Sequence, residues 1–307
     1  MSASKATEIK IGGHTLKVTN QDKLYFPEDG VTKGDVLKYY QAVYPYISRY
    51  LKDRPQSLLR SANGIRGQAF FHKDAGDLAP EWMKTVKIYS ESADKKIDYL
   101  ICNEKAGLAF MNNLGCIEIN PWNSRLGSIN KPDYLVIDLD PSENNDFNQV
   151  VETALVVRKL LESAGAKCYC KTSGSTGLHV YIPLGAQYTY LQIRKFAKGL
   201  AALVEEELPE ITTIDRPLNK RKGRIYIDYL QNRKGQTLAS VYSLRPKPGA
   251  TISTPLEWKE VKKGLHPSQF HIGNIFKRLE KKGDLFKPLL TGKTDIKKVA
   301  SKLGFKA

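Results

Sequence analysis

The run Y-L-V-I-D-L-D-P, from Tyr134 to Pro141, limits most what this chain can become. Its apolar, β-branched character predicts a strand over Tyr134 to Asp140. Strand alternation then puts Leu135, Ile137 and Leu139 on one face and Val136, Asp138 and Asp140 on the other. Pro141 lacks an amide hydrogen and closes the ladder, leaving both carboxylates at a strand end where a cleft can open. A second run, R-I-Y-I-D-Y-L, predicts a strand over Arg224 to Tyr229, with Ile225 and Ile227 opposite Tyr226 and Asp228. Further strands are predicted over Lys167 to Lys171 and Leu178 to Ile182, around a glycine turn.

Between these strands the apolar period changes from two to that of a helix. Thr32 with Asp35 forms a capping-box start, and Val36, Tyr40, Val43 and Ile47 continue it to a stop near Tyr50. A second helix is predicted over Asn148 to Ser163, with Val151, Leu155, the Arg158 stem and Leu161 near one face and Gly165 as terminator. A third fits Leu191 to Leu208 through Ile193, Phe196, Leu200 and Leu203. No Gly/Ser-rich linker, repeat or low-complexity tract divides the 307 residues, so one α/β domain over 1–307 is expected, with 1–17 as an edge extension.

Composition narrows the function. No apolar run approaches the roughly 20 residues of a spanning helix, and Met1 to Lys10 has no signal core, so a cytoplasmic protein without membrane contact is expected. The four cysteines, at 102, 116, 168 and 170, have neither a C-x-x-C spacing nor the density of a disulfide scaffold, and reduced thiols are expected. The formal net charge of +16 favours a polyanionic partner, with nucleic acid foremost.

Three acids on two hydrophobic strands in a basic protein are the main chemical signal. Gathered in a partly buried site, Asp138, Asp140 and Asp228 would repel one another, and divalent cations that prefer oxygen ligands relieve that cost. Magnesium or manganese is therefore expected, as two ions. An isolated D-x-D would read as a turn beside a strand end.

Other segments offer phosphate contacts. In K-T-S-G-S-T-G-L-H-V-Y-I-P-L the turn Ser173 to Gly177 presents small residues and backbone N–H groups able to cradle an anion, with His179 and Tyr181 on one strand face. D-R-P-L-N-K-R-K-G-R gathers Arg216, Lys220, Arg221, Lys222 and Arg224 just before Asp228, a loop suited to a phosphate backbone or a triphosphate. Lys23 and Lys33 flank Tyr25-Phe26-Pro27 and the helix start at Thr32, where a terminal phosphate could bind. Phe70-Phe71, followed by Lys73, offers a stacking platform for bases.

The order of four motifs, D-L-D-P at Asp138 to Pro141, T-S-G-S-T-G-L-H at Thr172 to His179, I-D-Y-L-Q-N at Ile227 to Asn232 and Y-S-L-R-P at Tyr242 to Pro246, resembles the polymerase domain of bacterial ligase D, a branch of the archaeo-eukaryotic primase superfamily. The resemblance runs from about Val18 to the C-terminus. It implies a primase-polymerase α/β (α+β) fold, with mixed and antiparallel sheets flanked by helices. It further implies template-directed nucleotide addition at gaps and ends during non-homologous end joining, often with ribonucleotide preference and manganese stimulation. By that resemblance Asp138, Asp140 and Asp228 are metal ligands, and Ser173, His179 and Arg245 contact the nucleotide, with Lys73 beside them. Lys23 and Lys33 form a 5′-phosphate pocket, Phe70 and Phe71 an aromatic pair near the templating base, and Arg221 a strand-managing basic residue. The implied partners are DNA with gaps or 5′-phosphorylated ends, NTP or dNTP, a Ku-like end-binding protein and a DNA ligase, which places the chain at the nucleoid.

C-I-E-I-N-P-W carries Asn120 where many members have a nucleotide-contacting histidine. No ligase or nuclease module follows Ala307, so a stand-alone polymerase and an excised domain are both open. Two other readings compete. A metal-dependent nuclease would use the same acids on a phosphodiester, and a DNA-end-binding adaptor would keep them as structural residues.

Overall fold

In the computed structural model, which describes residues 6–91 and 93–306, the Tyr134–Asp140 run is a strand over its whole predicted length. It lies third in a six-stranded sheet ordered Thr212–Thr213, Ile225–Asp228, Tyr134–Asp140, Leu178–Pro183, Tyr169–Thr172, Pro255–Leu256. Only the first pair is parallel. The sheet is thus mixed but mainly antiparallel, in line with the expected α/β fold. Asn232 extends the ladder beyond the short Ile225–Asp228 strand: its side chain exchanges two hydrogen bonds with the Val136 backbone, at 2.9 and 2.7 Å.

The sheet belongs to one of two compact units, built from Asn123–Gln236, Ser253–Gln269 and Leu279–Ala307. Its helices start where side-chain caps satisfy the first N–H groups, Asp146 with Gln149 for Phe147–Ser163 and Thr189 with Gln192 for Tyr190–Glu207. The buried residues of the first helix are Val150, Val151, Thr153, Ala154, Val157 and Leu161, so the predicted face is buried at Val151 and Leu161 but not at Leu155 and Arg158. Leu155 is 37% exposed, and the Arg158 guanidinium sits 5.1 Å from the Trp258 ring rather than along the core. The runs Val150–Ala154–Val157–Leu161 and Val151–Leu155–Arg158 both keep helical spacing, so periodicity alone does not fix where the buried face is centred. Gly165, at φ +82°, ends this helix in the left-handed conformation that favours glycine.

The other unit comprises Met1–Trp122, Thr237–Ile252 and Phe270–Arg278. Its long helix, Lys33–Leu51, begins with the reciprocal Thr32–Asp35 capping box and buries Val36, Tyr40, Val43 and Ile47. Tyr40 Oη donates to Ile117 O, tying the helix to a three-stranded sheet ordered Phe70–His72, Gln56–Arg60, Cys116–Pro121. The N-terminal segment is a hairpin, Ala6–Ile11 with His14–Thr19, whose Leu16 and Val18 pack on Leu37, Ala106 and Ala109. All four cysteines are buried thiols. No helix among the described residues is long and apolar enough to cross a membrane.

Candidate active site

Strand register assembles a polar row within this hydrophobic sheet. Asp228 faces Asp138, Asp138 faces His179, and His179 faces Lys171 across four adjacent strands. Cross-strand partners project from the same face at about 5 Å, so these side chains meet. Asp140 lies two residues on, opposite Tyr226. The three predicted acids are therefore brought together, although they lie 90 positions apart in the chain, from Asp138 to Asp228.

Burial and mutual repulsion govern their ionisation. The Asp140 carboxyl is pushed above the usual range by burial and then by the Asp138 charge, against the opposing pull of Arg221. Asp228 is raised by burial and by Asp138, while hydrogen bonds from Leu230 N–H and Tyr226 Oη partly offset this. Asp138 itself meets His179 Nε2 at 3.2 Å. Each acid thus has a protein partner, and among the described residues no three His, Cys, Asp or Glu side chains sit close enough to hold a metal ion as they stand. The donor chemistry nevertheless fits divalent cations: three hard oxygen donors share one face, and burial together with charge repulsion raises two of their pKa values.

The predicted anion-binding turn abuts these acids. Ser173 Oγ accepts the N–H groups of Ser175 and Gly177, both at 3.0 Å, so its hydroxyl shapes the turn from within. A Cβ at Gly177 would lie 2.1 Å from Leu139 O, so only glycine lets the turn approach the acid-bearing strand this closely. His179 is 2% exposed, and its Nδ1 lies 2.9 Å from Lys171 Nζ.

The basic loop differs from an open phosphate track. Leu218–Arg221 forms a short helix, and Arg224 turns inward to the carbonyls of Arg221, Pro209 and Lys220. Arg221 donates to Asp140 at 3.0 Å and lies 4.2 Å from the Tyr226 ring centroid. Desolvated guanidinium groups need acceptors, and carbonyls plus a half-exposed carboxylate supply them here. The structure therefore places Arg221 in the acid cluster.

The remaining candidates lie in the other unit. Lys33 is nearly buried, with Nζ 2.8 Å from both Asn113 O and Asn113 Oδ1. Burial, and then the nearby Lys23 charge, lower its pKa to about 8. Lys23 Nζ donates to Ala62 O and Asn63 Oδ1. Phe70 and Phe71 are 48% and 60% exposed, but as neighbours on a strand they project from opposite faces, so they do not form one platform. Phe70 packs under the Arg60 guanidinium, at 5.5 Å. Lys73 follows this strand, half-buried. Glu118 and Asn120 share a face of the Cys116–Pro121 strand. Arg245 Nε donates to Glu118 at 2.8 Å, while Asn120 Nδ2 and the Oγ of its cross-strand neighbour Ser57 are buried without a hydrogen-bond partner among the described residues.

Comparison with known proteins is decisive at this point. Residues 32–286 match the family described as "LigD, primase-polymerase domain". This chain belongs to the LigD primase-polymerase family. The bifunctional non-homologous end joining protein LigD of Bacillus subtilis is 32% identical over 269 residues, covering 87% of this chain and 43% of that protein. The multifunctional LigD of Mycolicibacterium smegmatis is 31% identical over 278 residues, covering 89% and 36%. The polymerase domain of Mycobacterium tuberculosis ligase D, solved in complex with DNA, superposes with a TM-score of 0.83 at 30% identity, covering 91% of this chain and 99% of that one. The LigD primase-polymerase chain spans less than half the length of the full-length relatives it matches. Membership in the family makes it a nucleotidyltransferase of the DNA-repair polymerase type.

Three residues of this chain reach the candidate positions without having been legible as site residues. Lys171 backs His179, Tyr226 lies between Asp228 and Arg221, and Glu118 holds Arg245. Tyr226 sits on the Asp228 strand, where alternation with the acid was the available signal, whereas the strand of Lys171 carries no acid to mark it.

Proposed function

We propose that this chain fills gaps and extends ends in DNA during break repair by non-homologous end joining, with residues 1–307 acting as one catalytic domain. The observation that carries the reading is the register-aligned row Asp228–Asp138–His179, with Asp140 beside it and a glycine turn against it. Asp138, Asp140 and Asp228 would hold two divalent ions, manganese or magnesium. When bound, such ions activate a primer 3′-hydroxyl and neutralise charge on the leaving pyrophosphate. The protein's own groups do the positioning. His179 offers a ring N–H to a phosphate oxygen, Arg221 and Arg245 offset charge on the transferring group, and the Ser173–Gly177 turn presents backbone donors. Carboxylates on two adjacent strands hold their spacing rigidly, which suits the reaction better than loop-borne ligands would.

Lys23 and Lys33 are read as the 5′-phosphate contacts, Phe70 with Phe71 as base contacts, and Asn120 with Lys73 as nucleotide-side residues. The proposed partners are gapped or 5′-phosphorylated DNA, NTP or dNTP, a Ku-like end-binding protein and a DNA ligase, at the nucleoid in the cytoplasm. Primer extension on gapped duplex, with each metal and each nucleotide sugar, tests the reading. Lengthened, template-matched products support it. Shortened primer would instead indicate a nuclease, and metal-independent binding without any product an adaptor.

A further inference from the structure

Lys171 is a lysine with no solvent exposure at the end of the polar row, two strands from Asp138. A buried ammonium is costly, and the hydrogen bonds around it show what it does. Ser253 Oγ donates its single proton to Thr172 O at 2.9 Å, so toward Lys171 Nζ that oxygen can only accept. Lys171 is therefore the donor there, and taken as the ammonium, with three N–H groups and no lone pair, it has no acceptor capacity to offer its other partners. Its second partner is His179 Nδ1, at 2.9 Å. A nitrogen that accepts carries the lone pair, so the ring proton must lie on the other nitrogen, Nε2. That nitrogen is 3.2 Å from Asp138 Oδ1.

We propose that Lys171 is a positioning residue that holds His179 in the Nε2–H tautomer, so that the imidazole always presents a donor on the side where the acids and the incoming phosphates meet. The alternative Nδ1–H tautomer would turn a ring proton toward the lysine and a lone pair toward an anion, losing one hydrogen bond at each end. Ser253 is the second part of the device, because it keeps the flexible lysine stem pointed at the ring. The lysine side chain also passes 5.7 Å from the Tyr181 ring centroid, which limits its swing on the other side. The kinetic consequence rests on the polymerase reading above; the tautomer does not.

The test labels the five histidines with nitrogen-15 in full-length, metal-free protein and assigns His179 by its loss in His179→Gln. In the wild type a proton on Nε2 and a lone pair on Nδ1 are expected. An Nδ1 proton would overturn the proposal without any variant. In Lys171→Met, and more weakly in Ser253→Ala, the second tautomer should appear while the melting transition stays cooperative. The KM for nucleotide should rise about tenfold with kcat changed much less, since a donor lost equally from ground and transition state acts on binding. A purely structural lysine would lower stability and leave the tautomer and the KM to kcat split unmoved, and that result would also overturn the proposal. If the wild type forms no extension product, the polymerase reading fails while the nitrogen spectra still decide the role of Lys171. Should Lys171→Met not fold, Ser253→Ala, which keeps the lysine, decides through the same spectra.

Discussion

Replacing Asp138 by asparagine should make the metal-free protein more stable while abolishing nucleotide addition. Asp138 is the central charge of the cluster, opposite Asp228 and two residues from Asp140, and it raises the pKa of both. Two carboxylates about 5 Å apart at an effective dielectric of about 20 repel by roughly 3 kcal/mol. That gross figure shrinks because Asp140 is half exposed and paired with Arg221. Asparagine keeps an oxygen for the His179 ring N–H, so little attraction is lost. A net gain of about 1 kcal/mol follows, or about 2–4 °C in Tm. The sign with pH is fixed by the same shifts. Asp140 and Asp228 have folded pKa values above the ordinary aspartate value, so their ionisation destabilises the fold as the pH rises through that window. The advantage of the variant should be full near neutral pH and vanish below the unfolded value. Thermal melts of both proteins in chelator at low salt measure it, and a repeat with manganese should raise the wild-type Tm but hardly that of Asp138→Asn. If the variant melts below the wild type in chelator, Asp138 is a structural hydrogen-bonding residue and the repulsion argument is wrong.

Asp228→Ala should likewise abolish primer extension while gapped-DNA affinity, read by anisotropy, stays within about twofold or tightens, since a negative charge leaves a site facing a polyanion. The preference for a 5′-phosphate over a 5′-hydroxyl gap should be about tenfold. It should weaken as the pH passes the Lys33 value of about 8, where the amine loses its proton, and disappear in the Lys23→Ala, Lys33→Ala double variant; equal titration curves for both gaps in the wild type would exclude the pocket. Arg245→Met should cost about 1–3 kcal/mol in denaturant unfolding, because Glu118 is left buried and unpaired, and Glu118→Gln in the same background should recover part of it. Asn120→His should keep or lower the KM for nucleotide, as a ring donor replaces a buried amide nitrogen that has no hydrogen-bond partner among the described residues; a large loss of extension would give Asn120 a role of its own.

Local chemistry made much of this protein legible in the sequence. Thr32 with Asp35, the apolar period of three helices, and the alternation in Tyr134–Asp140 are properties of neighbouring residues, and the elements formed where those rules placed them. The pairing of Asp138 with Asp228 could be anticipated only because both lay on apolar strands of the same pattern. Their actual meeting is set by register, and a slip of one residue would have turned one carboxylate into the core. Which helical stripe faces inward, with Leu155 left outside, was decided by packing, because two stripes of similar spacing compete for one interface. The split into two units was invisible for a related reason: the chain crosses between them after Trp122, Gln236, Ile252, Gln269 and Arg278 within folded segments, with no linker composition to mark the crossings. The uses of Lys171, Arg221 and Arg224 were also hidden, since in the sequence each is one more positive charge on a chain of net +16. Only the tertiary structure shows that Lys171 and Arg221 turn inward while Arg224 folds back on its own loop, because a buried cation is stable only where the fold supplies acceptors, and Ser253 and Asp140 reach the first two from distant segments.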